Sequence, residues 1–170
     1  MISPRPLSFD PIEEARRQWL KHGWARAADG MAVITSVFRA QQIYLARIDL
    51  VLRPLDLTFA RFEVLTLLSF TRGGSLPMSK IGRRLQVHPT SVTSIVDRLE
   101  TQGLVQRLAH DTDRRTTLVK ILPAGRRVLK KATSSLNDEV FAKPGISSSE
   151  SVDLFEVVRG LRAAERDFEM

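Results

Sequence analysis

The chain has 170 residues, 43% of them hydrophobic, which is typical of one globular domain or of one domain with added helices. Its formal net charge of +7 predicts an acidic partner, and the absence of cysteine excludes disulfides, thiolate metal sites and cysteine-based redox sensing. No uncharged apolar stretch approaches the roughly 20 residues that span a bilayer, and the N-terminus lacks the apolar core of a signal peptide. We therefore expect a cytoplasmic protein without a membrane partner.

The N-terminal third predicts an arm followed by two amphipathic helices. Residues 1–9 contain two prolines and predict a flexible arm. A helix is predicted over residues 11–21, and a break or bend is predicted between Gly23 and Gly30. Apolar residues then recur at helical spacing over residues 31–52, the longest such signal in the chain, and Pro54 ends that helix.

Two shorter helices separated by a turn are predicted next. Thr58 can cap the first of them, which places Arg61 and Glu63 on its outside. Ser79 can cap the second, which exposes several basic side chains. Residues 87–89 then form the turn into a further helix, and short helices joined by such a turn are typical of a helix-turn-helix.

The helix predicted to begin at Pro89 carries the strongest indication of function in the sequence. Proline suits the first helical position because its missing N–H costs nothing there, and Gly103 is a natural stop. One stripe is apolar and is expected to face the core, namely Val92, Ile95, Val96 and Leu99. The outward stripe carries small hydroxyls and one arginine, as suits a helix that reads a nucleic-acid groove: Thr90, Ser91, Ser94 and Arg98.

Two β-rich segments, residues 104–108 and 116–122, follow this helix and flank a polar tip. Helix, then hairpin with a basic tip, is the order of a winged helix-turn-helix. On its own, however, this stretch is equally compatible with an ordinary solvated surface. The charge distribution decides between the two: residues 73–131 hold 12 Lys and Arg against four Asp and Glu, whereas the remainder holds 14 against 15.

The last third predicts two more amphipathic helices. One opens at Pro123, and the other is introduced by a capping box formed by Ser147 and Glu150. The terminal helices offer more apolar surface than the basic middle requires, so we expect them to pack against a second copy of the chain; the alternative is that they pack back on the middle. The predicted parts are an N-terminal arm with dimerisation helices (1–56), a winged helix-turn-helix domain (57–122) and C-terminal dimerisation helices (123–170).

Three segments of the chain resemble the multiple-antibiotic-resistance regulator (MarR) family of bacterial winged-helix transcription factors. The family's second-helix motif is similar to residues 57–65, LTFARFEVL. Its recognition helix and first wing strand are similar to residues 92–105, VTSIVDRLETQGLV. Its wing and fifth helix are similar to residues 111–115, DTDRR, with LV at 118–119 and PAGR at 123–126. The resemblance covers residue 31 to the end, and three motifs in order and spacing make it specific.

The resemblance implies a mainly α fold, a winged helix-turn-helix with a small β-hairpin wing and flanking N- and C-terminal dimerisation helices. It implies a sequence-specific transcriptional regulator, a homodimer that binds a pseudo-palindromic double-stranded DNA operator, usually as a repressor. Many members of the family release DNA when a small aromatic or phenolic ligand enters a crevice between the dimerisation and DNA-binding parts. The aromatic residues available at that crevice are Phe38, Tyr44 and Phe62, each of which is also compatible with a core position.

The expected DNA contacts lie in the reading helix and the wing. Arg98 can bind guanine bidentately, whereas serine and threonine hydroxyls discriminate less. In the wing, Asp113 can hold Arg115 in an extended pose that enters a narrow A·T minor groove, the alternative being a surface ion pair, and Arg114 is expected at phosphate. The full predicted set is His88, Pro89, Thr90, Ser91, Thr93, Ser94, Arg98, Asp113, Arg114 and Arg115.

Two residues depart from the family pattern. His88 stands where the family usually has serine or threonine before the proline, and it is expected to cap the helix less well. His88 can instead contact phosphate, and its charge can make binding respond to mildly acidic pH. Leu122 stands where a threonine is usual, which removes another cap.

An enzyme and a sequence-neutral architectural DNA-binding protein are the competing classes. The three histidines are dispersed without metal-ligand spacing, and no Gly-rich phosphate loop, nucleophile elbow or paired-carboxylate motif occurs. We therefore predict no catalytic residues, no metal and no cofactor. An architectural protein would require a broad basic surface rather than one basic segment.

Overall fold

The structure of the chain is a computed structural model that describes residues 6–110 and 116–169. Most of these residues are helical, and three short strands form a small sheet. Residues 1–5 of the predicted arm and the wing tip, residues 111–115, lie outside the described part. The elements in chain order are α1 Pro11–Lys21, α2 Ala25–Leu52, a 3-10 turn Arg53–Leu55, α3 Phe59–Ser69, β1 Ser75–Pro77, α4 Met78–Leu85, α5 Pro89–Thr101, β2 Val105–Ala109, β3 Thr117–Ile121, α6 Pro123–Leu136, a π-helical turn Asn137–Phe141 and α7 Ser148–Ala164.

The chain forms two compact units, residues 1–47 and residues 48–170. The first unit holds α1 and the larger part of α2. The predicted break between Gly23 and Gly30 is only partly correct, because Gly23 ends α1 with a φ of 79° whereas Gly30 lies inside α2. A glycine inside a helix costs about 1 kcal/mol relative to alanine, and a helix of 28 residues tolerates that cost. The functional division at residues 56 and 122 remains a prediction.

The second unit is built around one apolar core, to which α3, α4, α5, α6 and the sheet contribute. The predicted apolar stripe of α5 is confirmed: Val92, Val96 and Leu99 are at most 2% exposed, and Ile95 packs against them half-buried. Burial of this stripe fixes the rotation of α5 about its axis. The opposite side of the helix is therefore held towards solvent.

The sheet has three antiparallel strands in the order β1-β3-β2, so one strand more than the sequence predicts. The additional strand, β1, pairs Ser75 with Lys120 and Pro77 with Leu118. Three residues are too few to show the alternation by which a strand is predicted. This pairing also corrects the helix start expected at Ser79, because α4 begins at Met78 directly after β1 and its N-terminus has no side-chain cap.

The start of α6 is packed tightly against the turn that follows α5. At Gly125 an added Cβ would lie 2.2 Å from the carbonyl oxygen of Leu104, so this approach requires glycine. The predicted loss of a cap at Leu122 is confirmed, as is the capping box before α7, in which Ser147 and Glu150 exchange hydrogen bonds. Within the described residues, none of the helices combines the length and the apolarity that crossing a membrane requires.

Candidate nucleic-acid interface

The N-terminus of α5 is held by its cap. The backbone of His88 is extended, with φ −60° and ψ 144°, and its Nδ1 accepts a hydrogen bond from the N–H of Thr90 at 3.3 Å. His88 therefore does cap the helix, since a ring nitrogen in this position satisfies one of the unpaired N–H groups of the first turn. That it caps less well than serine or threonine stays a prediction. Pro89 occupies the first helical position, and Gly103 follows the helix with a φ of 67°, both as predicted.

One side of α5 forms an exposed surface that we call the reading face, made of Thr90, Ser91, Ser94 and Arg98. All four side chains are exposed. At 100° per residue they lie within about one third of the helix circumference, beside the buried stripe of Val92, Val96 and Leu99. Hydroxyls and a guanidinium held on a rigid helix present the hydrogen-bonding groups that read base edges.

Thr93, also among the predicted contacts, lies outside the reading face. Its hydroxyl donates to the carbonyl of Pro89 at 3.2 Å, so it is engaged within its own helix. Thr93 and Pro89 line a cavity of about 530 Å³ between α4 and α5. Pro89 and His88 are both exposed at the N-terminal end of the reading face.

A cluster of cations lies on α4, the helix that packs against α5. Lys80, Arg83 and Arg84 are exposed and line one depression of about 250 Å³. The helix predicted to expose basic residues does expose them. Such a basic cluster, which we call the α4 cluster, has the composition of a phosphate-contacting surface.

A polar groove of about 460 Å³ joins the reading face to the start of α3. Ser94 and Arg98 line it together with Thr58 and Arg61, residues that were not predicted as site residues. Arg61, expected outside its helix, has a side chain only 15% exposed and donates through Nε to Thr58 Oγ1 at 3.4 Å. This burial arises because the first turn of α3 packs beside α5, a contact between separate elements that helical spacing does not encode.

The C-terminal end of α5 is tied to the same region by Gln102. Its Nε2 donates to the backbone carbonyl of Asp56 at 2.8 Å and to Asp56 Oδ2 at 2.7 Å. Asp56 has a φ of 50°, a left-handed conformation that aspartate tolerates better than most residues. The reading helix is therefore fixed at its end as well as along its core stripe.

The base of the wing is a hairpin of β2 and β3 in regular register, from Val105 opposite Ile121 to Ala109 opposite Thr117. The N–H of His110 donates to the carbonyl of Thr116 at 3.2 Å and extends the pairing towards the tip. The two β-rich segments are thus confirmed as a hairpin. The predicted contacts Asp113, Arg114 and Arg115 lie outside the described residues and stay predictions.

The side chain of Arg107, on β2, bonds to α5. Its Nη2 donates to Asp97 Oδ1 at 2.6 Å, its Nη1 donates to Glu100 Oε2, and its backbone N–H donates to Glu100 Oε1 at 2.8 Å. The hydrogen bonds from the backbone and guanidinium of Arg107 lower the pKa of the Glu100 carboxyl. None of these three residues was among the predicted DNA contacts.

The second unit also contains an apolar cavity of about 540 Å³ between α3 and α6. Phe62, a predicted ligand residue, lines it, and so does Thr66, whose buried Oγ1 has no hydrogen-bond partner within the described structure. Arg126 and Lys130 bring positive charge to its wall. The other two predicted ligand residues belong to the first unit, where Phe38 is 62% exposed and Tyr44 is half-buried.

Three helices around an apolar core, with a reading face on the third and a β-hairpin after it, define a winged helix-turn-helix protein. A sequence model of the MarR family matches residues 57–117. A solved structure of Sco5413, a MarR family transcriptional regulator from Streptomyces coelicolor, is 46% identical, covers 84% of this chain and 99% of its own, and superposes with a TM-score of 0.76. This chain belongs to the MarR family.

More distant relatives agree with this assignment. The uncharacterised HTH-type transcriptional regulator YhbI of Bacillus subtilis is 28% identical over 106 residues, which are 62% of this chain and 64% of YhbI. The chain therefore spans somewhat less than two thirds of that curated relative.

Two solved structures at lower identity share the fold. MarR of E. coli with operator DNA is 20% identical, with a TM-score of 0.72 over 79% of this chain and 96% of its own. CouR of Rhodococcus jostii with p-coumaroyl-CoA is 21% identical, with a TM-score of 0.66 over 76% and 90%.

Proposed function

We propose that this protein is a sequence-specific DNA-binding transcriptional regulator that acts as a repressor on a pseudo-palindromic operator. The observation that carries the proposal is the reading face itself: four exposed side chains able to contact bases, on a helix whose opposite stripe is fully buried. The E. coli MarR that shares this fold was solved with operator DNA, which supports the same use here.

The proposed contacts divide by chemistry. Arg98 contacts a base, because its guanidinium matches the two acceptors of guanine in the major groove. The α4 cluster contacts phosphates, which orient the protein on the duplex without reading sequence. Arg61, held beside Arg98 in the polar groove, adds a further phosphate contact. Arg115 enters the minor groove, and Asp113 positions it.

The protein is proposed to act as a homodimer through its terminal helices. In α7 none of the residues is buried, and Phe155 and Leu161 are each 60% exposed. In α2, Ile34, Val37 and Phe38 are more than half exposed. Apolar helix faces of this kind are typical of an interface, and two-fold pairing presents two reading faces to two half-sites.

Release of DNA by a small aromatic or phenolic ligand completes the proposal. The cavity between α3 and α6 is apolar, and Thr66 and the cations Arg126 and Lys130 supply hydrogen-bond donors for an acidic or phenolic group. CouR, which shares the fold, was solved with an aromatic acyl-CoA. Such a ligand releases DNA only to the extent that it binds the DNA-free conformation more tightly than the DNA-bound conformation.

The decisive experiment is selection of genomic fragments by the purified protein, followed by fluorescence anisotropy on the selected site. We expect the site to bind at least about 1,000-fold more tightly than bulk DNA, with log K falling against log salt at a slope of about −5 to −9. Equal affinity for both DNAs would indicate an architectural protein, and a slope near zero would rule out DNA binding. In the same anisotropy assay Arg98→Ala should weaken binding to the selected site. Its control is Arg127→Ala, which removes an exposed charge from α6.

The ligand is tested separately with benzoate and phenol as probes. Binding is measured by calorimetry with wild type and with Thr66→Val, and operator affinity is measured in parallel. A probe that binds yet leaves operator affinity unchanged would contradict release by a ligand.

A further inference from the structure

Arg107, on the strand that leads into the wing, bonds to three residues of the reading helix. Besides its bonds to Asp97 and Glu100, its Nη2 lies 3.5 Å from the carbonyl oxygen of Thr93. Thr93, Asp97 and Glu100 are spaced i, i+4 and i+7, so they form a third face of α5, beside the buried stripe and the reading face. One planar guanidinium thus holds the helix along about two turns.

Besides its pairing with β3, β2 has one buried apolar side chain, at its first residue. Val105 of β2 is 1% exposed, but Leu108 and Ala109 beyond it are exposed. Successive side chains of a strand point to opposite faces, so Arg107 occupies the next position on the face of Val105. At the position where a second apolar anchor would be expected, β2 has a charged one.

This contact differs from an ordinary surface ion pair, which contributes little to stability. The Arg107 side chain is 26% exposed, and both of its terminal nitrogens and its backbone N–H are bonded to two carboxylates. Guanidinium–carboxylate bonds with more than one contact constrain direction as well as distance. The lowered pKa of Glu100 is consistent with a carboxylate held ionised in this arrangement.

We propose that Arg107 is a positioning residue that fixes the wing relative to the reading helix, so that both contact DNA as one rigid body. The inference rests on the proposed function for its effect on DNA, but its structural part concerns the free protein. When two contacts are made by one rigid body, the second adds its full contribution once the first has formed. When the wing is loose, part of that contribution is lost.

The first test measures the wing in the free protein. The chain has no cysteine, so cysteines introduced at the exposed residues Thr101 and Ala109 can carry nitroxide labels. Pulsed electron–electron double resonance then measures the distribution of distances between the two labels. We expect a narrow distance distribution in the parent protein, a broader one with Arg107→Met, and an intermediate one with Arg107→Lys. Gln106→Met, one residue away on the opposite face of β2, is the matched control and should leave the distribution narrow.

The second test measures operator affinity in combined variants. Arg107→Met should weaken binding about tenfold or more, and Gln106→Met by less than about twofold. In the Arg107→Met background, the loss caused by Arg115→Ala should shrink, while the loss caused by Arg98→Ala should persist because the core still holds α5. A variant that merely lost stability would reduce both losses alike.

The outcomes separate this inference from the proposed function. An unchanged distance distribution in Arg107→Met overturns the inference whether or not DNA binds, as does an equal Arg115→Ala loss in both backgrounds. Failure of the parent protein to bind any operator would instead contradict the proposed function, because the distance measurement does not involve DNA. If Arg107→Met fails to fold, as judged by circular dichroism, Arg107→Lys carries both measurements.

Discussion

The helices α5 and α7 have similar apolar patterns but bury them differently. In α5 the stripe Val92, Val96 and Leu99 is at most 2% exposed, whereas in α7 Phe155 is 60% and Val157 71% exposed. The difference does not arise from helix formation, since both helices have a side-chain cap at the N-terminus. It arises from partners: α5 finds its apolar partner within the chain, and we propose that α7 finds its partner in a second copy.

The largest expected effect comes from removing α7. Deleting residues 147–170 should give a monomer whose operator affinity is lower by about 100-fold or more, because two half-sites are no longer bound by one molecule. Sedimentation equilibrium and fluorescence anisotropy measure the two quantities. Deleting only residues 169–170, which lie beyond α7 and beyond the bonds that Asp167 makes to Gln86 and Arg162, is the control. A deletion variant that remains dimeric would place the interface elsewhere.

Single apolar residues sharpen the same comparison. Leu99→Ala should lower the free energy of unfolding by about 2–5 kcal/mol, because it leaves a cavity in a packed core. Phe155→Ala should instead raise the dissociation constant of the dimer. Urea unfolding and sedimentation velocity on both variants test this division, and a Phe155→Ala protein with an unaltered dimer would contradict it.

On the polar side of α5, Arg98→Ala should cost about 1–3 kcal/mol per half-site and relax preference at one base pair. Bulk-DNA affinity should fall less, because the lost contact is to a base. Competition among operators with single base-pair changes measures this preference. A uniform loss on all sequences would reassign Arg98 to phosphate.

The wing should respond differently. Arg115→Ala should weaken binding most on sites with A·T-rich flanks, because it reads groove shape and charge. Asp113→Ala should reproduce part of that loss, although removal of an acid beside DNA would by simple electrostatics tighten binding. Fluorescence anisotropy measures the affinity of both variants for operators with A·T-rich and with G·C-rich flanks. Tighter binding by Asp113→Ala would reduce the pair to a surface feature.

The smallest expected effect concerns Glu63 of α3, whose pKa burial raises. A carboxyl whose folded-state pKa exceeds the unfolded value lowers stability once both states are ionised. Glu63→Gln should therefore raise the free energy of unfolding at neutral pH, by less than about 1 kcal/mol given its partial exposure. The gain should vanish when the pH falls below both pKa values. Urea unfolding at several pH values measures this difference. If a partner stabilised the ionised Glu63 carboxylate, Glu63→Gln would instead lower the free energy of unfolding at neutral pH.

Much of the second unit was predictable, because local signals agree there. Apolar spacing located α5, and the capping box located α7. The strand β1 was missed because three residues carry no period, and its pairing with β3 joins positions about 45 residues apart.

The reading face and the exposure of the α4 cluster were predictable, because both depend on helical spacing within one element. The reading face follows from the helical period, so its residues could be chosen from the sequence. Arg61 and Arg107 could not, because their roles depend on which other element their side chains meet. The alternation of side chains along β2 predicts that Arg107 faces inward. It does not reveal that the side chain meets two carboxylates of α5.

The close approach at Gly125 joins α6 to the turn between the reading helix and the wing. No side chain separates the backbone of α6 at Gly125 from the carbonyl oxygen of Leu104. A helix of 14 residues is about 21 Å long, so a change of about 5° in its direction moves one end relative to the other by about 2 Å. The apolar cavity is lined by α6 residues from Arg126 to Asn137. A ligand that tilted α6 from within this cavity would therefore also move the turn before the wing, and a larger residue in place of Gly125 would push the two backbones apart.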